Sequence, residues 1–270
     1  MDLVLLTAQR QSLIREWLAR DGRVVAARLA QTFGVSEDTV RRDLRELAAA
    51  GHCRRVYGGA LPFAPDGGSL TRRLASDPDR KRRLGEAVAA LVEPGTTLFV
   101  DAGSTNLRVA ETLPEGAGLR VVTNAPAIAC ALQDRSGIEV HLLGGRLDPV
   151  TGACTGTQTV RDAARFRPSL LVLGACGLDP DAGVTAHDLD EAELKSALAA
   201  GAREIVVAAT LDKFGSAASY NVVPAAALTT LVAEHDCPAE TLAPFAALGV
   251  RVVRAAPEDA AAPFRAPRAR

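Results

Sequence analysis

The sequence has no C-x-x-C pair, and its five cysteines (Cys53, Cys130, Cys154, Cys176 and Cys237) are odd in number and widely scattered. That spacing excludes a disulfide framework and a zinc knuckle and predicts reduced thiols in a cytoplasm. No uncharged apolar stretch approaches the roughly 20 residues that a membrane helix needs. The N-terminus offers only the short run Leu3-Val4-Leu5-Leu6 behind Asp2, without a basic n-region or a cleavage site. A soluble, cytoplasmic protein with no membrane partner is expected. Lysine is scarce too: Lys81, Lys195 and Lys213 are the only three among 31 basic residues. An arginine excess usually reflects genome composition rather than chemistry, which leaves the three lysines worth following.

What is present points to a folded chain. Its 270 residues, 48% hydrophobic and 23% charged, exclude a disordered chain, a fibre and a small disulfide scaffold. This length favours two domains. The net charge of −1 hides a split: residues 1–83 hold 16 basic and 10 acidic side chains, net +6, and residues 84–270 hold 15 and 22, net −7. Two halves of opposite sign are expected to meet different partners.

The basic half reads as three helices and a hairpin. The first helix is predicted over 9–20, with Leu13, Ile14, Trp17 and Leu18 at helical spacing and Asp21-Gly22 closing it. The second covers 26–33 and buries Ala26, Leu29, Ala30 and Phe33. Gly34 then supplies the permissive residue that a tight helix–turn–helix needs. The third starts from Ser36, a good N-cap, and runs to about residue 50. Val40, Leu44 and Leu47 share its buried face, while Thr39, Arg41, Arg42 and Arg45 lie on its exposed side. A helix that enters the major groove reads base edges with its first turns, and arginine pairs bidentately with guanine. Ser36 and Thr39 offer hydroxyls to phosphates. Arg54 and Arg55, ahead of Tyr57-Gly58-Gly59, suit a short basic wing. The alternative, a solvated face laced by Asp38–Arg42 and Arg42–Glu46 pairs, is outweighed by the complete helix–turn–helix–wing order and by the net charge.

The string Val35-Ser36-Glu37-Asp38-Thr39-Val40-Arg41-Arg42-Asp43-Leu44, followed by Arg55-Val56-Tyr57-Gly58-Gly59-Ala60, resembles the N-terminal signature of the DeoR family of transcriptional regulators. The resemblance implies a winged helix–turn–helix that binds operator DNA, with the motif at about 24–44 inside a domain at 6–61.

Residues 62–78 are rich in Pro, Gly, Ser and Asp and show no clear period, so a linker is placed at 62–83. Its basic run Arg80-Lys81-Arg82-Arg83 either lines DNA phosphates or is the solvated start of a helix over 84–91. The Ala/Pro-rich stretch 255–270 is expected as a disordered tail.

Between them, in 84–254, short apolar runs alternate with helical stretches. Strands are predicted at 97–100, 119–123, 138–143, 170–174, 204–209, 228–233 and 250–253. The alternation implies an α/β domain with a mainly parallel sheet, whose ligands bind at the carboxyl ends of the strands. The first strand runs into Asp101-Ala102-Gly103-Ser104-Thr105, where small and hydroxyl residues at a helix N-terminus suit a phosphate. An ordinary capped helix would look the same. It is neither a Walker loop nor a G-x-G-x-x-G, so no ATP, NAD or other cofactor is indicated. Lys213, in Leu211-Asp212-Lys213-Phe214-Gly215, lies on a ligand-facing loop. Lys195 pairs with Glu191 at i, i+4, as a site residue or as a surface salt bridge.

These stretches also resemble the sensor domain of the same family, which is related in fold to sugar-phosphate isomerases and binds phosphorylated sugars. The resemblance implies effector contacts from Asp101, Gly103, Ser104, Thr105, Asn124 and Lys213. It departs at Thr210, where the family usually has an aspartate. Asp101 either accepts a sugar hydroxyl, pairs with Lys213 or caps the following helix.

The expected function is a repressor, most plainly a homo-oligomer, whose operator affinity falls when a phosphosugar binds. No catalytic or metal-ligating set is predicted. Two alternatives stand beside it. One is a sugar-phosphate isomerase tethered to a DNA-binding module, with Asp101, Asp188 and Glu191 as candidate bases. The other is a regulator that senses an unphosphorylated metabolite or nucleoside.

Overall fold

Apolar spacing and glycine decide where the N-terminal helices start and stop. The computed structural model, which describes residues 5–257, places α1 at Thr7–Asp21, β1 at Val24–Val25, α2 at Ala26–Phe33 and α3 at Glu37–Ala49. The hairpin strands are β2 (Arg54–Val56) and β3 (Gly59–Leu61). Gly22 and Gly34 end α1 and α2 at φ 69° and 64°, a conformation in which a Cβ is strained. Ile14, Leu29, Phe33, Val40 and Leu44 meet in one small core. Beside it Arg10 and Asp43 form a buried bidentate ion pair, with Nε to Oδ2 at 2.7 Å and Nη2 to Oδ1 at 3.2 Å. Neither charge is tolerable alone at that depth, so the fork fixes how α1 meets α3. Strand β3 pairs antiparallel with β1 and β2 and completes the wing.

Residues 62–83, expected as a linker, hold two helices, α4 (Leu70–Ala75) and the start of α5 (Pro78–Ala89). Ahead of them Phe63 bridges Ala217 in parallel: the Ala64 N–H donates to the Ala217 carbonyl at 3.0 Å and the Ala217 N–H to the Pro62 carbonyl at 3.3 Å. Backbone bonds to a segment so distant in sequence leave no period, which is why composition alone missed them.

The rest of the chain is a doubly covered sheet. In order come β4 (Thr97–Val100), α6 (Ser104–Thr112), β5 (Leu119–Thr123), α7 (Pro126–Leu132) and β6 (Ile138–Leu142). A two-stranded excursion follows, β7 (Arg146–Leu147) with β8 (Cys154–Thr155), and then α8 (Thr157–Ala163) and β9 (Leu170–Leu173). After β10 (Gly177–Asp179) and β11 (Gly183–Ala186) come α9 (Leu189–Gly201), β12 (Glu204–Ala209), β13 (Tyr220–Val223) and β14 (Thr230–Ala233). Helix α10 (Ala239–Ala247) and β15 (Arg251–Arg254) close the described chain.

The seven strands expected from apolar runs form one parallel sheet in the order β15-β14-β12-β9-β4-β5-β6. Helices α5, α6 and α7 seal one face over Leu84, Val109 and Ile128. On the other, α8, α9 and α10 are joined by a small antiparallel sheet, β10-β11-β13, around Leu178, Val184 and Phe245. That small sheet was not legible: its strands are short and interrupted by Asp179 and Gly183. Strand order reverses between β4 and β9, which opens a crevice at their carboxyl ends. Of the stretch read as a tail, residues 258–270 lie outside the described residues. Ala255 is buried, and its N–H donates to the Ala233 carbonyl at 2.8 Å.

Candidate functional site

A candidate nucleic-acid face is built by α3 and the wing. Ser36 caps α3, accepting the Thr39 N–H at 3.2 Å, and its hydroxyl lies 2.9 Å from that of Thr39. Both hydroxyls therefore stand at a helix N-terminus. Arg41 is clamped between Glu37 (2.8 Å) and Asp38 (3.2 Å), and Arg42 reaches Glu46 at 3.3 Å. These are exposed pairs worth little, so DNA phosphates or bases can replace them. The expected Asp38–Arg42 pair is not made: Asp38 turns to Arg41 instead. Arg45 and Arg55 are exposed and unpaired among the described residues. Tyr57, 98% exposed at the tip of the wing, joins this surface.

Arg54 does not join it. Side chains alternate along a strand, so neighbours in β2 point oppositely. Arg54 faces the second domain, where it donates to the Ala218 carbonyl and to Asn221 Oδ1 at 2.7 Å. Arg23 makes the same crossing, to Asp181 and, at 3.9 Å, to Asp179. Both arginines thus tie the DNA-binding half to β10, the following turn, and β13.

The second site is a cavity of about 910 Å³ at the crevice, between the sheet ends and the former linker. The start of α6, with Gly103, Ser104 and Thr105, forms one wall. The free N–H groups of a helix start attract anions. Arg72 and Arg73 from α4, Lys81 from α5 and Lys213 from a 3₁₀ turn after β12 add cationic walls. Lys81 is buried, and its Nζ donates to the carbonyls of Arg73 (2.5 Å) and Ser76 (2.6 Å). Burial pushes its ammonium below the usual lysine range, and Lys213 and Arg73 push the same way against Asp77 and Asp212. Lys213 Nζ stands 3.2 Å from Asp212 Oδ2, and the Thr210 hydroxyl donates to Asp212 Oδ1 at 2.5 Å. Burial alone would raise the Asp212 carboxyl, but Thr210 and Lys213 hold it below its ordinary value. The position at which the sequence departs from the family pattern therefore steadies the neighbour of the loop lysine.

At the inner end of the cavity, Lys195 is 2% exposed and saturated. It meets Asp101 Oδ2 at 3.0 Å and Glu191 Oε1 at 2.9 Å and donates to the Gly174 carbonyl at 2.8 Å. The Glu191–Lys195 pair is thus no surface salt bridge, and Asp101 pairs with Lys195 rather than Lys213. Asp101 Oδ2 also accepts the Gly174 N–H at 3.0 Å, which ties the end of β4 to the end of β9. Burial pushes the Asp101 carboxyl up. Although burial opposes it, the two carboxylates raise the Lys195 ammonium above its ordinary value and keep it charged. Asp101 Oδ1 is buried without a partner.

Of the six residues expected to meet an effector, Gly103, Ser104, Thr105 and Lys213 line the cavity. Asn124 does not, because both ends of its amide are occupied: Oδ1 accepts the Ala102 N–H at 3.1 Å and Nδ2 donates to the Cys154 carbonyl at 3.3 Å. Asp101 is not in the lining; it pairs with Lys195, which is. Arg72, Arg73 and Lys81 were missed as cavity residues, although the scarcity of lysine had singled out Lys81. The run at 80–83 is drawn into the second domain rather than left in solvent throughout. Arg80 meets Glu234 (3.1 Å) and Asp236 (2.9 Å), Arg82 meets Glu86, Arg83 is buried, and Lys81 turns into the cavity.

Comparison with known proteins follows the same division. The DeoR-like helix-turn-helix domain matches residues 10–63, and the DeoR C terminal sensor domain matches residues 76–235. The chain is 33% identical over 215 residues to the glycerol-3-phosphate regulon repressor of Escherichia coli K12, covering 79% of this chain and 85% of that one. It is 31% identical to the HTH-type transcriptional regulator GlpR of Haloferax volcanii, covering 92% and 98%. A putative aga operon transcriptional repressor of E. coli O157:H7 is 27% identical, covering 92% and 93%. Among solved structures, ribose 5 phosphate isomerase A from Neisseria gonorrhoeae aligns at 16% identity over 52% of this chain and 55% of that one, with a TM-score of 0.38, a likeness too loose to build on.

Proposed function

The chain belongs to the DeoR family of transcriptional regulators, and from that membership we propose that it represses sugar-metabolism genes until a phosphorylated sugar enters the cavity and lowers its affinity for the operator. The carrying observation is the wall of the cavity: Arg73, Lys81 and Lys213 share its lining with the start of α6, and the buried Lys81 ammonium donates only to carbonyls. A phosphate there would give Lys81 a charged acceptor beside its two carbonyls, and the volume suits a small ligand. Ser104 and Thr105 donate to the phosphate, and the acidic residues of the cavity are left for sugar hydroxyls. Relatives named for glycerol-3-phosphate and aga regulons support both the ligand class and the repressing role.

The effector acts by binding one of two conformations better, so DNA must in turn weaken effector binding by the same factor. No catalytic step is assigned. Of the three candidate bases, Asp101 and Glu191 are ion-paired to Lys195, and Asp188 caps α9 by accepting the Glu191 N–H at 3.0 Å. The test is a thermal-shift panel of phosphosugars followed by operator titration. A phosphosugar that raises the melting temperature and weakens operator binding is expected. If no phosphosugar does either, or if the dephosphorylated sugar acts as strongly, the reading fails.

A further inference from the structure

At one side the large sheet ends in β6. Its ladder with β5 pairs residues 138–142 with 119–123 in parallel, the Leu143 N–H donates to the Thr123 carbonyl, and the Leu119 N–H donates to the Gly137 carbonyl. The N–H and C=O of one strand residue point the same way and those of the next point oppositely. Residues 137, 139, 141 and 143 therefore face β5, and Ile138, Val140 and Leu142 turn their backbone groups outward. Among the described residues nothing pairs with them. An open edge is normally guarded by proline, lysine or a covering loop. The opposite edge strand, β15, begins and ends in arginine. In contrast, β6 reads Ile-Glu-Val-His-Leu, with Leu142 48% exposed.

We propose that β6 is an interface between two copies of this chain, running antiparallel across a twofold axis at Val140. The sequence of the strand is self-complementary in that register. Val140 exchanges N–H and C=O with Val140 of the second copy, and Ile138 with its Leu142, so every outward group finds a partner. On one face Ile138, Val140 and Leu142 form an apolar stripe across the seam, which covers the exposed Leu142. On the other, Glu139 stands directly across from His141 of the second copy, and the symmetry makes this pair twice. A carboxylate facing an imidazole N–H favours pairing, and two facing carboxylates oppose it. Within each copy Glu139 already meets Arg120 at 3.0 Å and His141 at 2.9 Å, so the seam carries a polar cluster that a second copy extends. The two large sheets then become one sheet, and the two wings are held on a common frame.

Sedimentation of the full chain tests this. A dimer is expected at micromolar concentration. Val140→Pro removes only an outward N–H, since proline is tolerated on an edge strand where the missing donor faced away from the ladder; it is expected to raise the dimer dissociation constant at least about tenfold. His141→Glu places carboxylates across the seam and is expected to weaken the dimer, and adding Glu139→His restores the complementarity and the dimer. Should Val140→Pro disturb folding, Val140→Cys in a Cys130→Ser background gives an independent reading. Its thiols meet on the axis and are expected to cross-link through a short bis-maleimide, while Val150→Cys in the same background stays unlinked. A monomeric parent, or a dimer that these charge variants leave intact and Val140→Cys does not cross-link, overturns the proposal.

Discussion

Buried ammonium groups persist only where carboxylates or carbonyls surround them, and the lysines of this chain divide along that line. Lys195 has a full set of partners and serves the fold. Lys195→Met would strand Asp101 and Glu191 without a counter-charge, and about 3–5 kcal/mol of stability is expected to be lost in a denaturant titration. Adding Asp101→Asn is expected to recover part of it. Lys81, held by two carbonyls, and Lys213, beside Asp212, line the cavity without such a full set of carboxylates. Lys81→Ala and Lys213→Ala should abolish the phosphosugar response while operator affinity without effector stays near that of the parent, read by fluorescence anisotropy. Lys81 also sets a pH dependence. Its ammonium lies below the usual range in the free protein, and a bound phosphate raises it. Above the free value, binding must therefore take up a proton, so effector affinity falls as pH rises on the alkaline side. Calorimetry in two buffers of different ionisation enthalpy should show that uptake, and Lys81→Arg should remove it.

At the scale of elements, α3 and the wing make separable contributions. On the proposed function, Arg55, exposed on the wing, meets phosphates, and Arg42, exposed on α3, meets base edges. Binding should weaken by ~10³–10⁵ between about 50 and 200 mM salt if a dimer covers roughly 6–10 phosphates. Arg55→Ala should flatten that slope without altering sequence preference, whereas Arg42→Ala should relax the preference. The elements themselves were largely legible, because α2, α3 and the strands β4, β5 and β12 carry their periods openly. So was the hydroxyl-rich start of α6. What escaped was whatever depended on a partner distant in sequence. Arg54 and Arg55 look alike in the string, yet strand alternation turns Arg55 out to solvent and Arg54 toward Asn221. Lys81 reads as part of a basic run, and only the turn between α4 and α5 carries it into the cavity. Asn124 is a polar residue at a strand end that the fold spends on two backbone groups.

At the scale of the molecule, the wing is held against β10, the turn after it, and β13 by Arg23 and Arg54. The small sheet in turn reaches the cavity: Gly215 N–H donates to the Leu178 carbonyl at 2.9 Å, and Ser216 donates to the Lys213 carbonyl at 2.9 Å. On the proposed function, these bonds link a ligand on Lys213 to the surface that holds the wing. Loosening that hold with Asp181→Ala is expected to shift effector-free operator affinity by up to about fivefold, since an exposed pair contributes roughly 0.2–1 kcal/mol. The expected direction is tighter operator binding with a smaller effector response. The Phe63–Ala217 bridge bears on how such proteins are recombined. The polypeptide leaves the wing, is stitched to residue 217 at once, and within a few residues is already wall of the cavity at Pro65 and Arg73. A hybrid regulator grafted at the composition boundary near residue 83 would take a sensor stripped of its cationic wall. One spliced ahead of Pro62 would carry the sensor whole, and only the second hybrid should inherit the donor's inducer.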